Sequence, residues 1–546
     1  MYKKTFNLER TNERDPRFDF AIEQIWVLGL LLAAIFLYGT NLDTLPLRDW
    51  DEGIVASVAR EIWRKDLNWF YPTLANQPYF NKPPLVHLLI AIAYYFGGVS
   101  EWTTRLLPAM LSALSVPLLY GIGREIFPRR TPAVFAALIY LTLLPVVRHG
   151  RLAMLDGAVL CFFLLMLWCL LRSRRDLRYA LGVGIGLGLI CFTKGILGLL
   201  LFALAIIFIA WDTPRLLTSG YLWFGLLFGL GPVFAWYYAQ WLHYGLLFLN
   251  VHFFNQSLQR IWQPVSGNTA PPWYYLLEIV KYSWPWLLFW PSGLRLAWEN
   301  RNMGWAKLVL VWVGVYFLAI SIMSTKLPWY VLPVYPALAL VGGAQLAEIW
   351  HWSASGKPAP APFVYSRLWV IIFVFLALVA WISSFYFSGL GFQQIQRDVQ
   401  LTLGCAALTM TVVAILIYRQ DPQFILVLFW GSYISLTLFM ISDHWIWELA
   451  EDYSVKPVAA VIQRYVPEGA VVYTSHPYHR PSLNFYSERQ VIPTSNDQIL
   501  RHWQQDLQPY LLLDKVTKEK LQLENVRILG TAADWTLLSR TAPNPR

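Results

Sequence analysis

Thirteen apolar runs constrain this chain more than any other feature. They lie near residues 22–40, 104–123, 131–147, 154–171, 179–193, 195–210, 219–241, 276–294, 305–323, 328–350, 367–388, 399–418 and 422–442. A helix needs about 20 apolar residues to cross the hydrocarbon of a bilayer. Lipid offers no partner for a bare N–H or C=O, so such runs fold as helices that satisfy their own backbone. The expected fold is a polytopic α-helical membrane protein with about 13 spans. Composition agrees: 57% of the 546 residues are hydrophobic and 14% charged, against a usual charged share of about 25%. The 28 Trp, 29 Tyr and 32 Phe suit helix ends at headgroup level. Cys161, Cys169, Cys191 and Cys405 all sit in apolar runs without pairing or ligand spacing, which supports neither a disulfide framework nor a zinc site.

Charge sets the orientation. The formal net charge of +10 would suit a nucleic-acid partner only if clustered, but the basic residues are scattered through short connections, as membrane topology demands. Lys3, Lys4, Arg10, Arg14 and Arg17, the 124–130 and 172–178 loops, the 295–307 loop and Arg419 are the clearest basic connections. Placing them in the cytoplasm makes 1–21 a cytoplasmic segment, the first run a start-anchor, and 41–103 and 242–275 external loops. The apolar run 85–96 is bounded by Pro83-Pro84 and Gly97-Gly98 and is short for a crossing, so it reads as re-entrant or interfacial. Residues 51–65 mix Ile54, Val55, Val58, Ile62 and Trp63 with Arg60, Glu61 and Arg64 in helical rhythm, the pattern of an interfacial helix. From 448 to 546, short β-rich runs at 470–474, 490–493, 510–513, 526–529 and 535–539 alternate with helical stretches near 455–465 and 496–506. That pattern predicts a small external α/β domain after a membrane domain over 22–447.

The external face gathers the charges that could carry chemistry. Asp49 to Pro84 holds Asp49, Asp51, Glu52, Arg60, Glu61, Arg64, Lys65, Asp66 and Lys82 directly after the first span. A solvated loop is the ordinary explanation of such a cluster. Asp156 opens a later span in Leu-Asp-Gly, where a bare carboxylate would be costly, so a polar partner is expected. The ordinary partner is Arg148 or Arg151; the alternative is a cavity shared with Asp51. Lys82 precedes two prolines that stiffen its segment. Lys326 stands between two spans and Arg260 in the 242–275 loop. Each cation alone could be a snorkelling interface residue. Three cations and two acids on one face suit transfer of a sugar from a lipid phosphate, with cations on the leaving group and a base for the acceptor hydroxyl. Lys194 ranks second, as an interface or packing residue.

The ordered motifs Asp51-Glu52, Arg60-Glu61, Tyr79-Phe80-Asn81-Lys82-Pro83-Pro84, Asp156, Thr193-Lys194-Gly195, Gln259-Arg260, Ala270-Pro271-Pro272-Trp273-Tyr274-Tyr275, Trp284-Pro285-Trp286 and Lys326-Leu327-Pro328-Trp329-Tyr330 resemble those of the aminoarabinose lipid A transferases. More broadly, they are similar to the GT-C membrane glycosyltransferases that include the dolichyl-phosphate-mannose protein mannosyltransferases. The resemblance runs from about residue 45 to 340. It implies a GT-C-like fold, a polyprenyl-phosphate-linked sugar as co-substrate, and transfer on the periplasmic or external face of the plasma membrane, usually with inversion. It also implies Asp51 as the acid that engages the acceptor, with Glu52 beside it and Asp156 as a second acid in the cavity. Lys82, Arg260, Lys326 and Arg60 become contacts to the lipid phosphate. Ile54 stands where those transferases carry Arg, Asn81 where they carry Glu, and Ser57 where they carry a further acid. The reaction class carries over; the sugar does not, the acceptor stays open among lipid, glycan and protein, and a divalent metal stays undecided. A transporter or flippase of lipid-linked sugars is the alternative, with polar groups expected nearer mid-membrane. Nucleic acid is not expected as a partner.

Overall fold

A computed structural model describes residues 16–264, 267–354, 366–390 and 395–541. The described residues divide into two compact units. One comprises residues up to Asn41, Phe80–Val86 and Pro108–Trp445; the other comprises Leu42–Tyr79, His87–Leu107 and Ile446 onward.

The first unit is a helical bundle. Among the described residues of the chain, ten helices are long and apolar enough to span a membrane, or eleven if the bent pair Arg130–Leu141 and Leu144–Arg151 is one span. The protein is a polytopic α-helical membrane protein, and the shortfall from thirteen has local causes. The 131–147 run bends by 59° between its two helices, where Pro145 opens the second. The 195–210 run becomes the 16-residue helix Leu197–Asp212. The 276–294 run breaks at Pro285 into the helices Tyr274–Tyr282 and Trp290–Glu299 with a tight turn between them, since proline cannot continue the backbone ladder.

Burial separates core spans from lipid-facing ones. The span Pro328–Trp352 is 94% buried over its apolar window, whereas Gly220–Tyr244 and Arg367–Gly389 are 22% buried. Their exposed Leu, Phe, Ile and Trp side chains form the surface expected against acyl chains. Helices Ala180–Lys194 and Gly220–Tyr244 approach so closely that a Cβ on Gly184 would lie 1.9 Å from the Gly225 carbonyl carbon. Small residues at such a crossing let van der Waals packing replace the hydrophobic drive that lipid removes.

The second unit contains a five-stranded sheet. Its strands are β3 (Val471–Thr474), β4 (Gln490–Pro493), β5 (Tyr510–Asp514), β6 (Val526–Ala532) and β7 (Trp535–Arg540), numbered after the two-residue strands β1 (Thr73–Leu74) and β2 (Gln77–Pro78). The order is β4-β3-β5-β7-β6. β3 runs parallel to β4 and β5, and β7 antiparallel to β5 and β6. Tyr510 and Leu512 face one core with Val458, Ile462 and Leu483. Leu511 and Leu513 face another with Ile499 and Trp503. Coverage of both faces explains why β5 reads as a continuous apolar run rather than an alternating one.

The helix Asp51–Arg64 belongs to this second unit and is clasped by the helix Pro481–Ser487. Asp49 accepts N–H bonds from Arg480 Nε (2.8 Å) and Ser482 N (3.1 Å). Arg60 donates to Phe485 O at 2.6 Å, Arg64 to Glu488 at 2.6 Å, and Tyr486 Oη to Glu101 at 2.9 Å.

Candidate functional site

In the first unit, Asp156 sits in the first turn of the helix Leu155–Arg172, where the positive end of the helix dipole favours a carboxylate. Its partner is Lys194, whose Nζ lies 2.6 Å from Asp156 Oδ1, with the side chains 11% and 10% exposed. That corrects the expected partners. Arg148 Nε donates to Trp445 O at 3.0 Å, and Arg151 donates to the Leu37 and Thr40 carbonyls at 2.6 Å. Both arginines tie helix ends together.

Lys194 closes its helix just before Gly195, whose φ of +61° and ψ of −127° suit glycine alone. A side chain there would also crowd Tyr237 Oη at 3.2 Å and His252 Nε2 at 3.4 Å. The Lys194 ammonium stands 5.7 Å from the centre of the Tyr330 ring, within reach of a cation–π attraction. Arg260 Nη1 donates to the Tyr330 hydroxyl at 3.2 Å, and its Nη2 to Gln256 Oε1 at 2.7 Å. Thus Asp156, Lys194, Tyr330 and Arg260 follow one another, although up to 174 residues (330 − 156) separate them in sequence.

Backbone bonds bring Lys326 to the same neighbourhood. Thr325 N donates to Arg260 O at 3.1 Å and Lys326 N to Asn268 O at 3.0 Å. The Lys326 ammonium itself turns back to the carbonyls of Ile320 (3.0 Å) and Ser321 (2.6 Å). It caps the helix Gly304–Ile322 and lies 5.4 Å from the Tyr275 ring centre. Burial pushes its pKa down, because desolvation disfavours the charged form.

Lys82 follows Phe80-Asn81, and Phe80 is gripped by a buried histidine. His252 is 3% exposed, with Nδ1 2.7 Å from Phe80 O and Nε2 2.8 Å from Tyr237 Oη. A carbonyl only accepts, so Nδ1 carries the proton and Nε2 accepts from the tyrosine. Burial, together with the positive charge of Lys82, lowers the pKa of His252 to about 4, so the ring stays neutral near pH 7. The imidazole stacks on Phe248 at 5.3 Å, inside the wide-turn helix Asn250–Leu258.

Asp51, Glu52 and Arg60 belong to the second unit. Asp51 opens the helix Asp51–Arg64 behind Trp50, which has a φ of 59°. Its side chain is 27% exposed and 3.5 Å from Arg48. Glu52 differs completely from its neighbour. It is fully buried and takes N–H bonds from Arg105 Nε (2.8 Å), Arg105 Nη2 (2.7 Å) and Arg48 N (2.8 Å). The remaining Arg105 donors reach the Leu42, Leu45 and Pro46 carbonyls, each at 2.8 Å. Glu52 is therefore sealed away from any substrate-sized molecule. Arg60 is engaged by Phe485, with its guanidinium carbon 4.7 Å from that ring, and Glu488 lies 3.9 Å away.

His252, Tyr237 and Gln256 were not singled out in the sequence, and Lys194, ranked second there, is the residue that pairs with Asp156. Tyr330 stood in a quoted motif; a lone histidine in an aromatic run carries no signal of its own. Among the described residues, no group of three or more His, Cys, Asp or Glu side chains is placed to hold a metal ion.

Comparison with known proteins decides the fold. ArnT from Cupriavidus metallidurans bound to undecaprenyl phosphate superposes with a TM-score of 0.76 at 19% identity, covering 95% of this chain and 99% of that one. The fold is that of ArnT. The apo crystal structure of the same protein gives a TM-score of 0.74 at 18% identity, with 96% and 100% coverage. A family described as dolichyl-phosphate-mannose-protein mannosyltransferase matches residues 81–238 of this chain. An undecaprenyl phosphate-alpha-4-amino-4-deoxy-L-arabinose arabinosyl transferase from Pseudomonas fluorescens is 29% identical over 336 residues, 59% of this chain and 60% of the relative. The same-named protein of Pectobacterium carotovorum is 28% identical over 342 residues, with 59% coverage of each. The chain thus matches about 60% of these relatives' length.

Proposed function

We propose that this protein is an integral membrane glycosyltransferase. It moves a sugar from a polyprenyl-phosphate donor to a lipid, glycan or protein acceptor on the external face of the plasma membrane. The observation that carries this reading is the succession Asp156–Lys194–Tyr330–Arg260, with Lys82 and Lys326 on flanking segments of the same unit. Such a set offers a lipid phosphate several cations, one of them a guanidinium whose planar fork matches phosphate oxygens. The relatives' names, which specify undecaprenyl phosphate, support the donor class.

In the proposed reaction, an acceptor hydroxyl oxygen attacks the anomeric carbon from the face opposite the phosphate. The new C–O bond forms as the bond to the phosphate oxygen breaks, and the departing phosphate keeps the bonding electrons. The resemblance of the motifs, rather than a contact between the units, assigns the hydroxyl proton to Asp51, a role worth about 10²–10⁴ in rate. Lys82 and Arg260 stabilise the charge growing on the phosphate. Lys194 pairs with Asp156 and fixes the position of that carboxylate. His252 is a positioning residue that holds the Phe80-Asn81-Lys82 turn in register. Lys326 acts through its cap of the helix Gly304–Ile322, and Arg60 and Glu52 hold the helix that bears Asp51.

The deciding experiment supplies purified protein with radiolabelled polyprenyl-phosphate sugars and extracts of the envelope, then identifies the labelled product by mass spectrometry. Release of polyprenyl phosphate together with a glycosylated product is expected. Donor translocation across a vesicle without bond cleavage would instead establish the transporter reading.

A further inference from the structure

The first unit carries an amphipathic recess, lined by the helices Pro16–Gly39, Glu101–Ile126 and Leu155–Arg172, with a volume of about 840 Å³. Val27, Leu31, Leu114, Leu118, Phe162 and Leu165 form its apolar wall. Its mouth is charged and lies beside the 124–130 and 172–178 basic loops, which the positive-inside rule assigns to the cytoplasm.

Most charges at this mouth satisfy one another. Glu23 accepts from Arg124 Nε (3.0 Å), Arg130 Nη2 (2.8 Å) and the Tyr120 hydroxyl. Glu125, only 6% exposed, accepts from Arg172 at 2.7 Å. Among the described residues, two groups keep spare capacity. Asp19 is 50% exposed and has Arg130 at a loose 3.6 Å; Arg175 is 65% exposed and 3.5 Å from Glu125. An acid and a base thus stay open at the mouth of an apolar slot.

We propose that this recess binds a phospholipid of the inner leaflet whose headgroup carries a primary ammonium. The ammonium would donate to Asp19, the phosphate would accept from Arg175, and an acyl chain would fill the slot. The pairing of charges selects this class. The mouth holds Asp19, Glu23 and Glu125 with Arg124, Arg130, Arg172 and Arg175, and with Glu23 and Glu125 taken up by close partners, the more open Asp19 and Arg175 give a purely anionic headgroup one favourable pole and one opposing pole. Apolar contact alone gives no preference within a bilayer, because lipid tails are as apolar as the wall. Discrimination rests on the two headgroup contacts at the interface, where screening is weaker than in bulk water.

The test uses full-length protein in nanodiscs of equimolar phosphatidylethanolamine and phosphatidylglycerol, with native mass spectrometry of the lipid retained after gentle delipidation. Phosphatidylethanolamine is expected at roughly fivefold or more over phosphatidylglycerol in the retained lipid, a ratio worth about 1 kcal/mol. Asp19→Asn and Arg175→Gln are surface changes that leave folding intact, and each is expected to return retention to the bulk ratio. Leu114→Trp, at a 43% exposed position on the wall, is expected to reduce all lipid retention. Phosphatidylcholine, whose quaternary ammonium has no N–H, should be enriched less than phosphatidylethanolamine. Bulk-ratio retention by the wild type, a preference for phosphatidylglycerol, or unchanged enrichment in the Asp19 and Arg175 variants would each overturn the proposal. None of these residues belongs to the proposed transfer site, so the outcome is independent of that reading.

Discussion

Two buried acid–base pairs, one in each unit, differ in how much hydrogen-bonding capacity each keeps. Glu52–Arg105 is fully enclosed, and its guanidinium also reaches three backbone carbonyls. Asp156–Lys194 is about a tenth exposed, and its lysine faces the ring of Tyr330, whose hydroxyl is held by Arg260. The first pair has nothing left to offer a ligand, and its value is the anchoring of the 42–46 turn against two helices. The second keeps spare donors next to further cations. Burial of charge without hydrogen-bond capacity to spare is a structural device; partial burial with spare capacity can do chemistry.

The largest effect that could break this contrast lies in the sealed pair. Glu52→Gln leaves the Arg105 guanidinium uncompensated, and breaking a buried pair on one side costs about 3–5 kcal/mol. Lost monodisperse protein or a much lower midpoint of thermal unfolding in detergent is expected, with partial recovery in Glu52→Leu/Arg105→Met. A Glu52→Gln protein that folds like wild type but no longer turns over would make Glu52 a reacting group.

Asp51→Asn should preserve folding and lower transfer by about 10²–10⁴. Radiolabelled sugar still reaching the acceptor at the wild-type rate would remove Asp51 as the base. A smaller loss is expected from Arg260→Lys, which keeps the charge but not the planar fork. A rise of about tenfold in donor KM with little change in kcat is the expected outcome. An unchanged donor KM would place the phosphate elsewhere.

His252 gives a pH test. Its folded pKa of about 4 lies below the usual 6.5 of a free histidine. The unfolded chain therefore binds the proton first as pH falls, and stability is lost between about pH 6.5 and 4. The contribution is at most about 3 kcal/mol. Thermal unfolding in detergent should show a downward slope over that window which flattens in His252→Asn. A slope unaltered by the substitution would show that other groups titrate there.

Much of this was legible from the chain. Long apolar runs fold as helices because lipid leaves the backbone no other partner, and ten of the thirteen are continuous spanning helices. The five strands fall on the β-rich runs because alternation and turn residues are local properties. The candidate site was legible only as a residue set. The position of Asp156 was clear, but its partner lies 38 residues away on the next long helix; Arg148 and Arg151, closer in sequence, went to helix-end carbonyls. Lys326 looks like a phosphate ligand in its motif, yet two carbonyls left over at a helix C-terminus claim its ammonium. Asp51 and Glu52 are adjacent and chemically alike, and successive helical positions 100° apart send one toward water and the other into a sealed core.

The sequence by itself determined the helical membrane class, the presence of a small α/β sheet and the residue types a phosphate-bearing donor requires, because each follows from local hydropathy and side-chain chemistry. Tertiary structure alone decided which charges pair, which are sealed and which keep a free donor. Those outcomes depend on desolvation and on carbonyls supplied by segments up to 425 residues apart, as between Arg60 and Phe485, and no local pattern encodes them.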